Sequence, residues 1–184
     1  MKAMDKAVFL DRDGTINVDK DYLYKIEDFE YLPGAVEGLR LLQELGYLLI
    51  VITNQSGIAR GFYTEKDYQA LDQWMKDDLE SKCVTITASY YCPHLPGSPI
   101  KEYDVLCDCR KPSLGLYYKA IKDWDLDIDK CIAIGDKERD LEICKVSGCK
   151  GYLLSESETE TNDRIKTCRD WRTLTNYIKG GGYL

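Results

Sequence analysis

The feature that most constrains this chain is an apolar run that ends abruptly in two acids. Residues 7–10 are Ala-Val-Phe-Leu, and Asp-Arg-Asp-Gly-Thr follows at 11–15. Such a run is typical of a buried parallel strand, and open α/β sheets bind ligands just beyond the carboxyl ends of their strands. Because strand side chains alternate, Asp11 and Asp13 would face the same side and could bind one cation, while Gly14 permits a sharp turn. The pattern favours a magnesium and nucleophile site over a strand that merely ends in an acidic turn.

This stretch resembles the signature of the haloacid dehalogenase superfamily of phosphohydrolases, a strand that ends in D-x-D-G-[TV]. The resemblance implies that Asp11 is the nucleophile and that Asp13 is the general acid and base. It also implies three further motifs in a fixed order along the chain.

The second expected motif is a hydroxyl at the tip of the next parallel strand. Residues 47–53 form another apolar run, which ends at Thr53 and is followed by Asn-Gln-Ser-Gly. A hydroxyl and turn amides placed there can bind phosphoryl oxygens without adding charge, although a strand ending in Thr-Asn is also a common helix cap. Beside the first motif, we interpret Thr53 as a catalytic residue that binds phosphate.

Two closely spaced pairs of soft metal ligands follow the third apolar strand. Cys92 lies two positions before His94, the only histidine, and Cys107 and Cys109 repeat that spacing beyond a loop. A tetrahedral zinc site of the Cys₃His type needs such pairs, and four protein ligands leave no open position for water. We therefore predict a structural zinc site rather than incidental thiols. The other five cysteines show no paired spacing and are expected to be buried or partly buried free thiols.

A basic step and a final acidic motif complete the expected order. Arg110 and Lys111 directly follow the last of these metal ligands, where Lys111 would hold a phosphoryl group as the third, catalytic motif. An apolar strand over 131–135 then ends at Asp136, within G-D-x-x-x-D, and Asp140 fits the second acid of that motif. The magnesium ligands that the resemblance implies are the carboxylates of Asp11 and Asp136 and the backbone carbonyl of Asp13.

Length and composition fit one ordinary globular domain. The chain has 184 residues, of which 44% are hydrophobic and 31% are charged. Because it shows no long apolar run and no signal-peptide pattern, we expect a cytoplasmic protein. The net charge of −7 disfavours nucleic acid and anionic membrane as partners, since both require a basic surface. We expect a single phosphatase domain over 1–184, with a zinc loop at 92–109 and a flexible tail at 179–184; the oligomeric state is left open, a monomer being the simplest case.

The order of elements predicts an α/β fold with a doubly wound, mostly parallel sheet of the Rossmann-like haloacid dehalogenase type. Apolar spacing indicates helices over 34–45, about 64–81, 113–124 with Ser113 as its cap, 141–146, and roughly 164–178 after a polar loop at 155–163. Cap domains of the superfamily are inserted after the first motif or between the second and third. Here a loop and the zinc loop occupy those intervals, so we expect a capless member.

The zinc-loop branch of the superfamily contains D-glycero-D-manno-heptose 1,7-bisphosphate 7-phosphatases and histidinol phosphatases. The sequence resembles the former in T-N-Q-S-G-I-A-R-G at 53–61, in its long zinc loop, and in Lys137 of G-D-K. Histidinol phosphatases typically show T-N-Q-D-G, a shorter loop and G-D-R. The resemblance implies hydrolysis of the C7 phosphate of a heptose bisphosphate through an aspartyl-phosphate intermediate, with histidinol phosphate as the alternative substrate.

The resemblance also implies a set of residues that bind the phosphorylated sugar: Arg12, Asp19, Lys20, Asp21, Tyr22, Asn54, Gln55, Ser56, Arg110 and Lys137. Arg110 and Lys137 are the candidates for contacting the second, anomeric phosphate, because it needs cations beyond the catalytic lysine.

Two rival functions have distinct sequence requirements. A phospho-receiver signalling domain carries its phosphorylated aspartate on a strand in mid-chain, and it lacks both D-x-D-G-T and a zinc loop. A nucleic-acid end-processing phosphatase shares the D-x-D-G-T chemistry. The acidic net charge and the absence of a G-x-x-x-x-G-K-[ST] kinase motif disfavour it here.

Overall fold

The centre of the molecule is a sheet of six parallel strands. The computed structural model describes residues 5–157 and 163–181. Its strands are β1 (Ala7–Leu10), β2 (Leu48–Asn54), β3 (Ile86–Cys92), β4 (Ile132–Gly135), β5 (Lys150–Leu154) and β6 (Ile165–Cys168). Their order in the sheet is β3-β2-β1-β4-β5-β6, with every neighbouring pair parallel. The predicted doubly wound sheet is confirmed, and the winding reverses between β1 and β4, where such sheets bind ligands.

Helices cover both faces of the sheet. They are α1 (Ala35–Glu44), α2 (Ser56–Ala59), α3 (Glu65–Ser81), α4 (Gly115–Trp124), α5 (Glu142–Val146) and α6 (Trp171–Lys179). Short 3₁₀ turns lie at Ile26–Asp28, Ile128–Lys130 and Glu138–Leu141. Only a loop with one 3₁₀ turn separates β1 from α1, and only a loop separates β3 from α4. Residues 5–157 therefore contain no cap domain.

Strand β1 contributes to two separate core layers. Val8 and Leu10 belong to the cluster that includes α1, α3 and α6, whereas Phe9 belongs to the opposite cluster with α4 and α5. The Phe9 ring packs edge-on against Tyr117 of α4, with centroids 5.3 Å apart. Because both faces of β1 are buried, the strand is apolar at every position.

Trp171 connects the last helix to the turn that follows β1. Its indole Nε1 donates a hydrogen bond to the backbone oxygen of Thr15 at 2.6 Å. The indole ring also covers Gly38 of α1, where an added Cβ would lie 2.2 Å from a ring carbon. Helix α6 thus supports the D-R-D-G-T turn from the side of the sheet opposite α4.

The structure corrects the prediction of one helix over 164–178. Strand β6 occupies Ile165–Cys168, and α6 begins only at Trp171, where the Asp170 side chain accepts the Thr173 amide at 2.7 Å. Helical spacing applies to the apolar residues of α6 alone. The four residues of β6 pair with β5 along the edge of β5 that β4 leaves open. This pairing is a tertiary contact, and it has no local helical or strand signature in the sequence.

Smaller differences concern the ends of elements. Ser113 does not cap α4, which begins at Gly115, where the amide donates to the Asp108 backbone oxygen at 2.9 Å. The predicted tail at 179–184 overlaps α6 at Lys179, and its residues 182–184 lie outside the described residues, as do residues 158–162 of the predicted polar loop. Among the described residues, no helix is both long and apolar enough to cross a membrane.

Candidate active site

A polar cavity of about 290 Å³ opens at the carboxyl ends of β1, β2 and β4. Eleven of the predicted site residues line it: Asp11, Asp13, Asp19, Asp21, Tyr22, Thr53, Asn54, Gln55, Ser56, Arg110 and Lys137. The strand ends bring these residues together because the three strands are parallel neighbours.

Lys111 lies behind the cavity and is buried between two acids. Its Nζ is 2.9 Å from Asp11 Oδ1 and 2.7 Å from Asp140 Oδ1, and it donates to the Ile52 backbone oxygen at 2.7 Å. Burial acts to lower the pKa of Lys111, but the adjacent carboxylates outweigh it and raise that pKa. For the carboxyl group of Asp11, burial has the opposite effect and raises the pKa to about 6, although the positive charge of Lys111 acts to lower it. The lysine therefore stays charged, directed at the predicted nucleophile.

Three carboxylates at this end of the sheet could hold a metal ion. Ligand oxygens of Asp11, Asp136 and Asp140 lie within 4.8 Å of one another. Oδ1 of Asp136 is buried and has no hydrogen-bond partner in the described part of the chain, as expected of an atom that faces a cation. Gly14, at φ +83°, approaches so closely that an added Cβ would lie 2.4 Å from Asp136 Oδ2. Hard oxygen donors of this kind suit magnesium.

The Asp13 carboxylate lies outside that group of three. Its oxygens accept hydrogen bonds from Arg12 Nη2 at 2.9 Å, Asn17 Nδ2 at 3.0 Å and Gln55 Nε2 at 3.0 Å. The alternation that would point Asp11 and Asp13 in one direction does not apply, because β1 ends at Leu10 and the chain then turns. Asp13 still lines the cavity, and its side chain is 22% exposed, so it can exchange a proton with a bound molecule.

The turn after β2 is fixed by a chain of side-chain hydrogen bonds. Gln55 Nε2 donates to Thr53 Oγ1 at 2.9 Å, and the Tyr63 hydroxyl donates to Gln55 Oε1 at 2.6 Å. Asn54 forms two hydrogen bonds with the backbone of Lys111. These hydrogen bonds hold the buried hydroxyl of Thr53 in a fixed position at the cavity.

The two predicted metal-ligand pairs meet in space. Ligand atoms of Cys92, His94, Cys107 and Cys109 lie within 4.8 Å of one another, with His94 Nδ1 3.3 Å from Cys109 Sγ. This cluster could hold a metal ion, and Arg110 and Lys111 follow it directly in the chain. All eight cysteines are free thiols. The exposed Cys83 corrects the prediction of buried or partly buried thiols, because it lies in the tight turn after α3 with φ +61°.

Two residues predicted to bind substrate do not reach the cavity. Arg12 is fully buried, where its Nη2 contacts Asp13 and the Leu23 backbone oxygen at 2.9 Å, so it positions Asp13 instead. Lys20 pairs with Glu30 at 3.0 Å on the surface. The cationic group of Arg12 is therefore held by Asp13 and the Leu23 carbonyl, and that of Lys20 by Glu30.

The cavity also includes residues absent from the predicted set, namely Arg60, Tyr63 and Arg139. Arg60 lies within T-N-Q-S-G-I-A-R-G and Arg139 within G-D-K-E-R-D, so the motifs themselves carried a signal for both. Tyr63 has no such signal in the sequence. Asp140, the second acid of the last motif, contributes to the group of three carboxylates.

Similarity to known proteins agrees with this geometry. A family profile described as polynucleotide kinase 3 phosphatase matches residues 6–174. The chain is 46% identical over 150 residues to a D-glycero-beta-D-manno-heptose-1,7-bisphosphate 7-phosphatase of Haemophilus ducreyi, spanning 81% of this chain and 82% of that protein. It is 44% identical over 158 residues to a D-glycero-alpha-D-manno-heptose-1,7-bisphosphate 7-phosphatase of Photorhabdus laumondii, spanning 86% of each. The chain belongs to the heptose bisphosphate phosphatase family of the haloacid dehalogenase superfamily.

A solved structure of another heptose bisphosphate phosphatase has the same fold over nearly the whole chain. It is the D,D-heptose 1,7-bisphosphate phosphatase of B. bronchiseptica complexed with magnesium and phosphate, with a TM-score of 0.80 and 27% identity over 96% of this chain and 99% of that chain. The family's fold therefore accounts for nearly the whole described structure, including the strand ends that form the cavity.

Proposed function

We propose that the chain hydrolyses the C7 phosphate of D-glycero-D-manno-heptose 1,7-bisphosphate and releases the heptose 1-phosphate. The buried ion pair of Lys111 and Asp11, at the base of a cavity lined by Thr53, carries this proposal. The names of the Haemophilus and Photorhabdus relatives support the substrate, and they differ in the anomer. Both anomers therefore belong in the test.

The first proposed step uses Asp11 as the nucleophile. A carboxylate oxygen of Asp11 attacks the phosphorus while the bond between phosphorus and the C7 oxygen breaks, and Asp13 donates a proton to that leaving oxygen. In the second step Asp13 takes a proton from the water that attacks the aspartyl-phosphate, which restores Asp11 and releases phosphate. Asp13 fits both roles because it borders the cavity while Arg12 and Asn17 hold its orientation.

Lys111 and Thr53 are proposed to hold the equatorial phosphoryl oxygens. Charge spreads over these oxygens in the transition state, so a buried ammonium and a fixed hydroxyl stabilise it electrostatically. The carboxylates of Asp11 and Asp136, with the Asp13 backbone carbonyl that the resemblance implies, would hold magnesium. When bound, the ion supplies positive charge that offsets the repulsion between the carboxylate and the phosphate.

We further propose that the Cys₃His cluster binds zinc in a structural role. Three thiolates and an imidazole, brought within reach of one centre, match the ligand set and number that zinc prefers. The ion would fix the loop that leads into Arg110 and Lys111, and it would affect catalysis only through their positions.

The proposal takes the chain as one catalytic domain that acts on a small phosphorylated sugar in the cytoplasm. A net charge of −7 disfavours a nucleic-acid substrate, despite the description of the matching family profile. The same net charge disfavours an anionic membrane as a partner.

A substrate panel tests the proposal directly. We expect kcat/KM for heptose 1,7-bisphosphate, measured with each anomer, to exceed that for histidinol phosphate and for a 3′-phosphorylated oligonucleotide. A clear advantage for histidinol phosphate would replace the substrate but keep the mechanism. An advantage for the oligonucleotide would place the chain among nucleic-acid phosphatases.

A further inference from the structure

The rim of the cavity carries an arginine with no polar partner. Arg60 lies at the cavity, and its guanidinium forms no hydrogen bond or ion pair within the part of the chain that the structure describes. Lys137, by contrast, lies 2.8 Å from Asp136. Arg110 already donates to the His94 carbonyl oxygen at 3.2 Å. Arg60 can therefore bind an anion without first giving up another contact.

Two exposed aromatic rings support this arginine. The guanidinium carbon of Arg60 lies 5.6 Å from the centre of the Tyr22 ring, and Phe62 packs edge-on against Tyr22 at 4.8 Å. Tyr22 is 39% exposed and Phe62 is 54% exposed, although both are large hydrophobic residues. A cation–π contact restricts the guanidinium in space but leaves its charge available.

The backbone that presents Tyr22 is strained. Asp21 has φ +49° and Tyr22 has φ +62°, so two successive non-glycine residues adopt the left-handed region. Such backbone conformations in non-glycine residues are concentrated at functional sites. Here they accompany the contact between the Tyr22 ring and the arginine.

The backbone of Arg60 is joined rigidly to the turn that carries Thr53. The amide of Arg60 donates to the Ser56 backbone oxygen at 3.1 Å, which closes α2. Ser98, in the loop between the metal-ligand pairs, donates from Oγ to the backbone oxygen of Ala59 at 2.6 Å. The separation between the Thr53 hydroxyl and the Arg60 backbone is therefore set by buried, hydrogen-bonded structure.

We propose that Arg60, held by Tyr22, binds the phosphate that is not hydrolysed and so selects a bisphosphate over a monophosphate. This inference rests on the proposed function and names a specificity-determining residue within it. A guanidinium can donate two parallel hydrogen bonds to phosphate oxygens. Because the anchor is rigid, binding at Arg60 orients the reacting phosphate against Asp11 and contributes to kcat as well as to KM.

Steady-state kinetics of Arg60→Ala test the inference, with heptose 1,7-bisphosphate and p-nitrophenyl phosphate as substrates. We expect kcat/KM for the bisphosphate to fall roughly 10- to 100-fold, the loss typical of a charged hydrogen bond. Hydrolysis of p-nitrophenyl phosphate should change by less than about 2-fold, because Asp11 and Lys111 are untouched. Arg60→Lys should restore part of the preference, since it keeps the charge but loses the bidentate geometry.

Arg139→Ala is the matched control, because Arg139 is also exposed at the cavity but has no aromatic support. We expect a smaller loss than for Arg60→Ala, and Tyr22→Leu should reduce the preference more than Tyr22→Phe does. If Arg60→Ala keeps the wild-type preference, or if Arg139→Ala removes it, Arg60 is not the selecting residue. If the wild-type chain shows no preference for the bisphosphate, the proposed function fails and the inference fails with it.

Discussion

The side chain of Asn54 forms two hydrogen bonds with the backbone of Lys111. Nδ2 of Asn54 donates to the Lys111 carbonyl oxygen at 3.0 Å, and Oδ1 accepts the Lys111 amide at 3.0 Å. These bonds tie the end of β2 to the loop that leaves the Cys/His cluster. The ammonium of Lys111 reaches Asp11 from a backbone held on two sides, so the lysine is positioned before any substrate binds.

Asn54→Ala should lower kcat about 10²-fold, because a displacement near ~1 Å of a catalytic group can cost that much. The kcat of Asn54→Asp should lie between those of the wild type and Asn54→Ala, since the carboxylate still accepts the Lys111 amide but cannot donate to the carbonyl. Kinetics with p-nitrophenyl phosphate will separate kcat from KM. A rise in KM alone would mean that Asn54 contacts substrate rather than positioning Lys111.

Asp11→Asn should remove turnover, with a loss on the order of 10⁴-fold or more, as for other catalytic nucleophiles. An amide cannot form the acyl-phosphate, and it is a poorer magnesium ligand. Asp19→Asn is the control, because Asp19 is an exposed acid on the same cavity and should cost far less. Circular dichroism must show both variants folded. Near-normal turnover by folded Asp11→Asn would exclude Asp11 as the nucleophile.

Gly14→Ala should raise the magnesium concentration needed for half-maximal activity, because the new Cβ would lie 2.4 Å from Asp136 Oδ2 and displace that ligand. Gly46→Ala is the matched control, since Gly46 has the same φ of +83° but its Cβ would meet only Lys6 at 3.8 Å. Both variants should lose about 1–2 kcal/mol of unfolding free energy from the left-handed backbone. An unchanged magnesium requirement in Gly14→Ala would argue against Asp136 as a ligand.

Protein purified without chelators should contain about one zinc ion per chain. Cys107→Ala or Cys109→Ala should release it and lower kcat about 10²-fold through misplacement of Arg110 and Lys111. Cys83→Ala, which alters an exposed thiol before the start of β3 whereas Cys92 lies at the end of that strand, should keep both metal and activity. Elemental analysis and kinetics on the same preparations provide the measurement. Absence of zinc from active wild-type protein would show that the cluster works without the ion.

The sequence predicts the parts of the site that lie at strand ends. Asp11, Thr53 and Asp136 each follow an apolar run, and parallel strands necessarily bring such ends to one edge. The sequence also predicts the metal-ligand pairs that end at His94 and Cys109, because local spacing limits which ligands can share a metal. In each case the chemistry is encoded by residues close to one another in the chain or by strand topology.

The direction of long side chains is much less predictable. Arg12 and Arg60 both lie in recognised motifs, but the Arg12 side chain is buried whereas Arg60 lines the cavity. The difference depends on distant partners, a backbone oxygen at Leu23 for one and the Tyr22 ring for the other. Strand β6 could not be predicted for the same reason, because its extended conformation depends on pairing with the edge of β5.

The hydrogen bond from Trp171 to Thr15 spans nearly the whole length of the described chain. Ribosomes deliver the turn after β1 long before the indole, so a nascent chain cannot form this hydrogen bond until Trp171 has been synthesised. An early fragment would contain all four motifs without the support that α6 gives to the first. A chain that stops before residue 171 should therefore show a lower melting temperature and little turnover, whereas full activity in that fragment would show that the turn holds its shape unaided.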